Sequence, residues 1–245
     1  MTKPSVKFDI LLPGSWRGAT SVLLSIRNHH IVIDTGLPHE DHQLVQALKN
    51  RGLDPTDIGT VINTHLHVDH VMNNHLFPNS LIYASQQSYE WCSSMYSEIS
   101  GNGKSNDIIL KYYPEISSHQ LSHSKVDWLR KFALRWWDLN RLGERSRFRW
   151  LERSELPADL ECCITCGHVP GHASIVVRNG DRPAVIAGDA LLSLDHDDKI
   201  LTMIPFNQQQ YQLDREKILA YGGVIVPGHD HPFTAPSTQT TPAPG

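Results

Sequence analysis

Four short apolar runs in this chain each adjoin a turn carrying a side chain able to bind a metal, and that recurrence limits the fold more than any other feature. Val61, Ile62 and Asn63 lead into His65, His67, Asp69 and His70, spelled HLHVDH. Gly167 to His172 spell GHVPGH just before Ser174–Val177, Ala184–Ala187 ends on Gly188 and Asp189, and Val224–Val226 ends on Gly228, His229 and Asp230. Apolar runs bounded by glycine-containing turns read as buried strands. The ligand-type residues therefore fall in loops at strand ends, where neighbouring side chains can be splayed toward a common point.

Imidazole nitrogens and carboxylates are what zinc and related divalent cations take as ligands. His65 and His67 have the alternate spacing that turns two side chains to the same side of an extended backbone. Asp69 and His70 point elsewhere and serve a second ion, so the hexapeptide predicts two adjacent metal positions. Two ions need more ligands than one hexapeptide supplies, and the three later turns offer them.

These motifs resemble the metallo-β-lactamase superfamily, over most of the chain outside its middle. The resemblance implies an α/β fold, a four-layer αβ/βα sandwich with metals at one edge between two sheets. Carried over by position, it implies His65, His67 and His172 on a first metal, Asp69, His70 and His229 on a second, and Asp189 bridging them. Ser21–Ile26 and His30–Asp34 read as paired strands, and Asp34, Thr35 and Gly36 match the family's DTG turn, with Asp34 bracing a loop.

The expected cofactor is thus a pair of divalent ions, zinc first, with iron or manganese as alternatives. A hydroxide held between two cations forms near neutral pH and attacks an acyl or phosphoryl centre, with Asp69 and Asp189 as the catalytic carboxylates. GHVPGHAS and the GHD at His229 are most similar to lactonase and glyoxalase II-like members, which implies a carboxylic ester, lactone or thioester as substrate. Lactonase relatives carry Tyr three residues after the bridging Asp, and Leu192 stands there. Either the middle of the chain supplies a donor or the leaving group needs none. The alternatives are a phosphodiesterase or nuclease on the same site and an iron-dependent oxygenase of the same fold. Oxygen-reducing relatives usually place Glu at the position of His67, so the His favours hydrolysis.

The 245 residues are enough for one large domain, expected over 1–233, with a loose tail at 234–245 rich in Pro, Thr and Ser. Lys and Arg number 22 against 26 Asp and Glu, a net charge of −4 with no nucleic-acid footprint. No apolar signal region opens the chain and no run has membrane-spanning length, so a cytoplasmic enzyme with a small-molecule substrate is expected. Cys163 and Cys166 form a CxxC, but Cys92 and Cys162 supply no second pair, so Leu160–Cys166 reads as a strand using Cys as small hydrophobes. Among the 15 His, His75, His168 and His231 are expected to brace the site, and His29, His30, His39 and His42 to lie on the surface.

One amphipathic helix is expected over Glu40–Asn50, ending at Gly52, and another near Leu213–Tyr221. The stretch 88–156 reads as a helical, aromatic and basic insertion rather than a scaffold element. Its helix candidate, Lys125–Leu142, spaces Trp128, Phe132, Arg135 and Leu139 by threes and fours. Trp128, Trp136, Trp137 and Trp150, with Tyr112 and Tyr113, either line a pocket or glue the insertion to the core or to a second copy in a homodimer. Its Arg and Lys read as a solvated face or a site for an anionic group.

Overall fold

A computed structural model describes residues 6–101, 105–117, 122–157, 159–178, 182–194 and 204–235. Two sheets form the frame. The first has the order β1-β2-β3-β4-β5-β6: β1 (Lys7–Leu12), β2 (Ser21–Ile26) and β3 (His29–Ile33) run antiparallel, and β4 (Thr60–Ile62), β5 (Leu81–Ala84) and β6 (Phe148–Trp150) follow β3 in parallel. The second has the order β11-β10-β9-β8-β7, from β7 (Leu160–Ile164), β8 (Ala173–Val177), β9 (Ala184–Gly188), β10 (Gly223–Pro227) and β11 (Phe233–Ala235). Only the β9–β10 pair is parallel there.

The period-two pattern of the strands sets the layers. Val22, Leu24, Ile31, Ile33 and Ile62 from the first sheet meet Ile175, Val177, Ala184, Ile186 and Val226 from the second in a central core. The alternate residues Leu23, Val32, Val61 and Ile82 face Leu44 and Leu48 of helix α1 (Asp41–Lys49). On the far side, Val176, Val185 and Ile225 face Ile218 of a helix over Gln208–Ala220. Helix, sheet, sheet and helix are stacked as the resemblance implies.

The insertion and the expected domain end both differ from their expected forms. The helix α2 (Val68–Val71) lies in the first motif, and α3 (Gln86–Ser100), α4 (Ser105–Tyr112) and α5 (His123–Trp136) form a helical unit around Met95, Ile99, Ile109, Tyr112 and Val126. The helix over Gln208–Ala220 is α6. α5 ends at Trp136 and a separate 3-10 turn covers Leu139–Leu142. β6, expected inside the insertion, is an edge strand of the first sheet, with Ile82 opposite Phe148 and Ala84 opposite Trp150. Phe148 fits that edge because it drops into the apolar layer beneath α1. At the other end, β11 pairs with β10 through Ala235, two residues past the expected domain end, and the rest of the tail lies outside the described residues.

All the motif loops share one end of the sandwich. β3 and β4 are parallel, so Asp34 and the HLHVDH segment leave the same edge. β9 and β10 are parallel, which sets Asp189 beside His229, and β8 runs against β9, so the turn before β8 arrives at that edge too.

Candidate metal centre

Asp34 begins the site. Its backbone is held in the left-handed region at φ 56°, which turns its carboxylate back across the sheet edge. Oδ1 accepts from the Thr64 amide at 2.8 Å, and Oδ2 from the Thr64 hydroxyl and His70 Nδ1 at 2.7 Å each. With Nδ1–H committed to Asp34, His70 presents Nε2 to the interior. His229 is set the same way, its Nδ1–H donating to the Ser15 carbonyl at 2.7 Å.

Asp189 lies between two groups of rings. Its Oδ1 is 3.2 Å from His70 Nε2 and 3.3 Å from His229 Nε2, while its Oδ2 is 3.2 Å from His168 Nε2 and 3.8 Å from His65 Nε2. Asp69 Oδ2 closes the second group, 3.4 Å from His229 Nε2 and 3.8 Å from His70 Nε2. His67 closes the first, its Nδ1 3.2 Å from His168 Nε2. Within each set, His65, His67, His168 and Asp189, and Asp69, His70 and His229, one donor atom per residue lies within 4.8 Å of the others. Gly228 packs so closely over Asp189 that a Cβ there would collide with Oδ1.

His172 is not part of either set, contrary to the sequence expectation. Its Nδ1–H donates to Thr165 Oγ1 at 2.8 Å, and its Nε2 accepts from the Asp189 amide at 3.0 Å, so it has no lone pair left for a cation. The reason is positional. His172 precedes β8 directly and its ring is turned by the strand pleat under Gly188, whose missing Cβ would lie 2.8 Å from Nε2. His168, expected as a brace, sits earlier in the turn and projects into the site. That turn is pinned by Asp214 of α6, which accepts from the Gly167 amide at 2.7 Å. The bracing expectation fails for His75 and His231 as well, since both are exposed. Nothing in a single chain separates two histidines four residues apart.

His65 Nε2, Asp69 Oδ2, His70 Nε2, His229 Nε2 and both Asp189 oxygens are buried and make no hydrogen bond among the described residues. A cluster of converging lone pairs left unsatisfied costs about 1–3 kcal/mol for each group and calls for positive charge. Burial pulls His65 and His168 well below the ordinary imidazole range, His67 down to about 4 and His172 to about 3, so these rings are neutral. Burial acts on His70 too, but Asp189, Asp34 and Asp69 lift it well above that range, and Asp189 likewise raises His229. Asp189 stays ionised because His229, His70 and His168 outweigh its burial. Neutral rings at His65, His67 and His168, with carboxylates whose charge draws protons toward His70 and His229, fit divalent cations of the zinc type, which would take the place of those protons.

Beside this cluster opens a cavity of about 450 Å³. His67, Asp69 and His168 form one wall. The opposite wall comes from the insertion, with Met95, Ile109, Trp128, Phe132, Trp136 and Trp137. Tyr113 reaches across to place its hydroxyl 2.7 Å from His67 Nε2. Desolvation, reinforced by Cys92, Asp69 and Asp189, pushes this phenol well above its ordinary pKa, so it is neutral. Trp150, grouped with the other tryptophans in the sequence reading, instead packs on Tyr89 and Phe148. Three of the insertion's basic residues are engaged elsewhere: Arg141 and Arg147 donate to backbone carbonyls, and Arg145 lies over Tyr89 and Trp150.

Residues 14–119 match the family model described as the metallo-β-lactamase superfamily. A probable metallo-hydrolase of Methanocaldococcus jannaschii is 41% identical over 59 residues, 24% of this chain and 29% of that protein. The N-acyl homoserine lactonase AttM of Rhizobium radiobacter is 26% identical over 197 residues, 78% of this chain and 65% of that one. A variant of B. thuringiensis AiiA with N-decanoyl-L-homoserine at its active site superimposes with a TM-score of 0.61 at 17% identity, covering 94% of each chain. The family-model match thus covers residues 14–119, under half of the chain, and the fold is like that of the solved structure named. The matched stretches span less than two thirds of the length of the two curated relatives named. No helix of the described residues is long and apolar enough to cross a membrane.

Proposed function

We propose that this chain is a dinuclear metal-dependent hydrolase of carboxylic esters, lactones or thioesters with an apolar acyl portion. The observation that carries the reading is Asp189, which turns one carboxylate oxygen to each ring group, with His67, Asp69 and His168 of those groups lining an apolar cavity. His65, His67 and His168 would hold one ion, Asp69, His70 and His229 the other, with Asp189 shared. Zinc suits this donor set best, and iron or manganese would be accepted by the same nitrogens and oxygens. Two cations bound there would acidify a water molecule and polarise the acyl oxygen.

The chain's own groups do the rest. Asp69 reaches both the second ring group and the cavity, so it aligns the attacking water and accepts its proton. Asp34, Ser15 and Tyr113 hold the outer nitrogens of His70, His229 and His67 and so fix which nitrogen of each ring faces inward. The helical part of 88–156 is a cap that takes the apolar end of the substrate. Arg17 is the one Arg or Lys among the described lining residues, and it is exposed at the rim. A phosphodiester would enter this wall poorly paired, which favours an acyl substrate over the phosphodiesterase alternative. The N-acyl homoserine lactonase relative points to the same class.

Metal analysis of the purified protein, followed by turnover of zinc-loaded protein on decanoyl lactones, decanoyl thioesters and bis-p-nitrophenyl phosphate, tests the reading. Two zinc per chain with acyl turnover is expected. Iron with a visible absorption band and no acyl turnover, or phosphodiester turnover alone, would sink it.

A further inference from the structure

Tyr113 comes from the insertion, immediately after α4, and its ring is clamped edge-on against Trp91 with centroids 5.2 Å apart. Among the described residues lining the cavity, it is the one side chain outside the two ring groups that hydrogen-bonds a member of them. The direction of that bond follows from His67. Nδ1 of His67 faces His168 Nε2 at 3.2 Å, inside the group, and Nε2 faces Tyr113. A neutral ring that offers the Nδ1 lone pair to a cation must carry its hydrogen on Nε2. That hydrogen goes to the Tyr113 oxygen. The phenol's own hydrogen is then unused by His67 and is free for an occupant of the cavity, beside Asp69 and His168. From the scaffold side nothing competes for this task at Leu192, which is apolar and buried, its carbonyl spent on the His229 amide at 2.9 Å.

We propose that Tyr113 is the donor to the leaving group: its oxygen accepts from His67 Nε2–H while its O–H hydrogen-bonds the departing oxygen or sulfur. This rests on the hydrolytic reading above. As the water oxygen bonds to the acyl carbon, the bond from that carbon to the leaving atom breaks and its electron pair goes to the leaving atom. The Tyr113 hydrogen bond stabilises the charge there until the proton released by the water arrives. The products are a carboxylic acid and an alcohol or thiol. One residue of the cap thus serves the chemistry and orients a ring of the scaffold.

The test uses the full-length, zinc-loaded enzyme and Tyr113→Phe, which keeps the ring against Trp91. The probes are hexanoate esters of p-nitrophenol, phenol and ethanol. Removing one donor to developing charge costs about 100-fold or more in turnover, so kcat on the ethyl ester should fall on the order of 100-fold. p-Nitrophenolate leaves without help, and its kcat should change by no more than about threefold, with KM steady for all three. An equal loss on every ester, or none, overturns the donor role. A second measurement needs no turnover. Zinc affinity by chelator competition should weaken on the order of tenfold for one ion, as for other partners of ligating histidines when they are removed, and an unchanged affinity overturns the link to His67. If wild-type protein binds two zinc and hydrolyses no ester, the hydrolytic reading fails while the affinity comparison still decides whether Tyr113 sets His67.

Discussion

One wall of the cavity carries His67, Asp69 and His168 on loops and the short helix α2 next to strand ends, and the facing wall carries Phe132, Trp136 and Ile109 on helices of the insertion. The first wall is stiff for a reason visible in its hydrogen bonds. His70, His229 and His67 have their outer nitrogens tied to Asp34, Ser15 and Tyr113, and the strands beneath are buried on both faces. The second wall is held by side-chain packing among α3, α4 and α5, around Met95, Ile109 and Val126. On the proposed reading, groups that must converge closely stand at strand ends, and groups that need only exclude water and fit an apolar chain stand on the helices of the insertion. The contrast separates reactivity from selectivity, with Tyr113 joining the two.

Replacing Asp189 with Asn attacks the first wall at its centre. We expect hydrolysis to fall on the order of a thousandfold or more, as for loss of a central electrostatic group, and zinc to drop below two per chain by elemental analysis. Retained zinc and turnover would remove the basis of the comparison. The two histidines of the GHVPGH turn should then behave differently. His168→Ala should cost one ion, whereas His172→Ala should leave both ions bound and lower activity about 10–100-fold, the range for residues that orient a ligand. The reverse pattern would restore His172 to the ligand set.

On the second wall, Phe132→Ala should leave metal content alone and lower kcat/KM for decanoyl esters about tenfold, because the ring's apolar surface supplies roughly 1–3 kcal/mol to holding the acyl chain, with acetyl esters little changed. Equal loss on both would show that the helices do more than bind a tail. A further effect concerns the metal-free protein. His67 near 4 and His172 near 3 lie below the ordinary 6.5 of an unfolded imidazole, and His65 and His168 lie lower than 6.5 as well. The unfolded chain therefore takes up protons below about pH 6.5 that the folded chain does not, and stability falls as pH drops from there toward 4 by about 1.4 kcal/mol per unit for each ring. His70 and His229 are raised, so they are protonated in both states over that window and do not cancel the slope. Thermal melts of chelated protein at pH 6.5 and 5 should show the drop. A flat profile would mean that the rings are not buried neutral.

Much of the first wall is legible in the residues themselves. Strand period and turn residues are local signals, and imidazole and carboxylate at strand ends have few other uses, so the loops bearing His65, His67, Asp69, His70, Asp189 and His229 could be named before any fold was known. Asp34 could be named as a brace, though not which ring it holds. The second wall resisted the same reading because helical spacing says which residues share a face and not what that face meets. Trp136 and Trp150 look equivalent in the chain, yet one lines the cavity and the other lies on Tyr89. Phe148–Trp150 reads as part of an insertion and pairs with β5.

What the sequence determined by itself is the set of strand-end loops and the chemistry they carry, since both follow from patterns a few residues long. Only the tertiary structure decided that His168 rather than His172 meets the Asp189 carboxylate, and that Tyr113, just past a distant helix, reaches His67. Those choices depend on which way a ring points at a strand end and on what another segment brings within 3 Å, and neither is encoded within the motif.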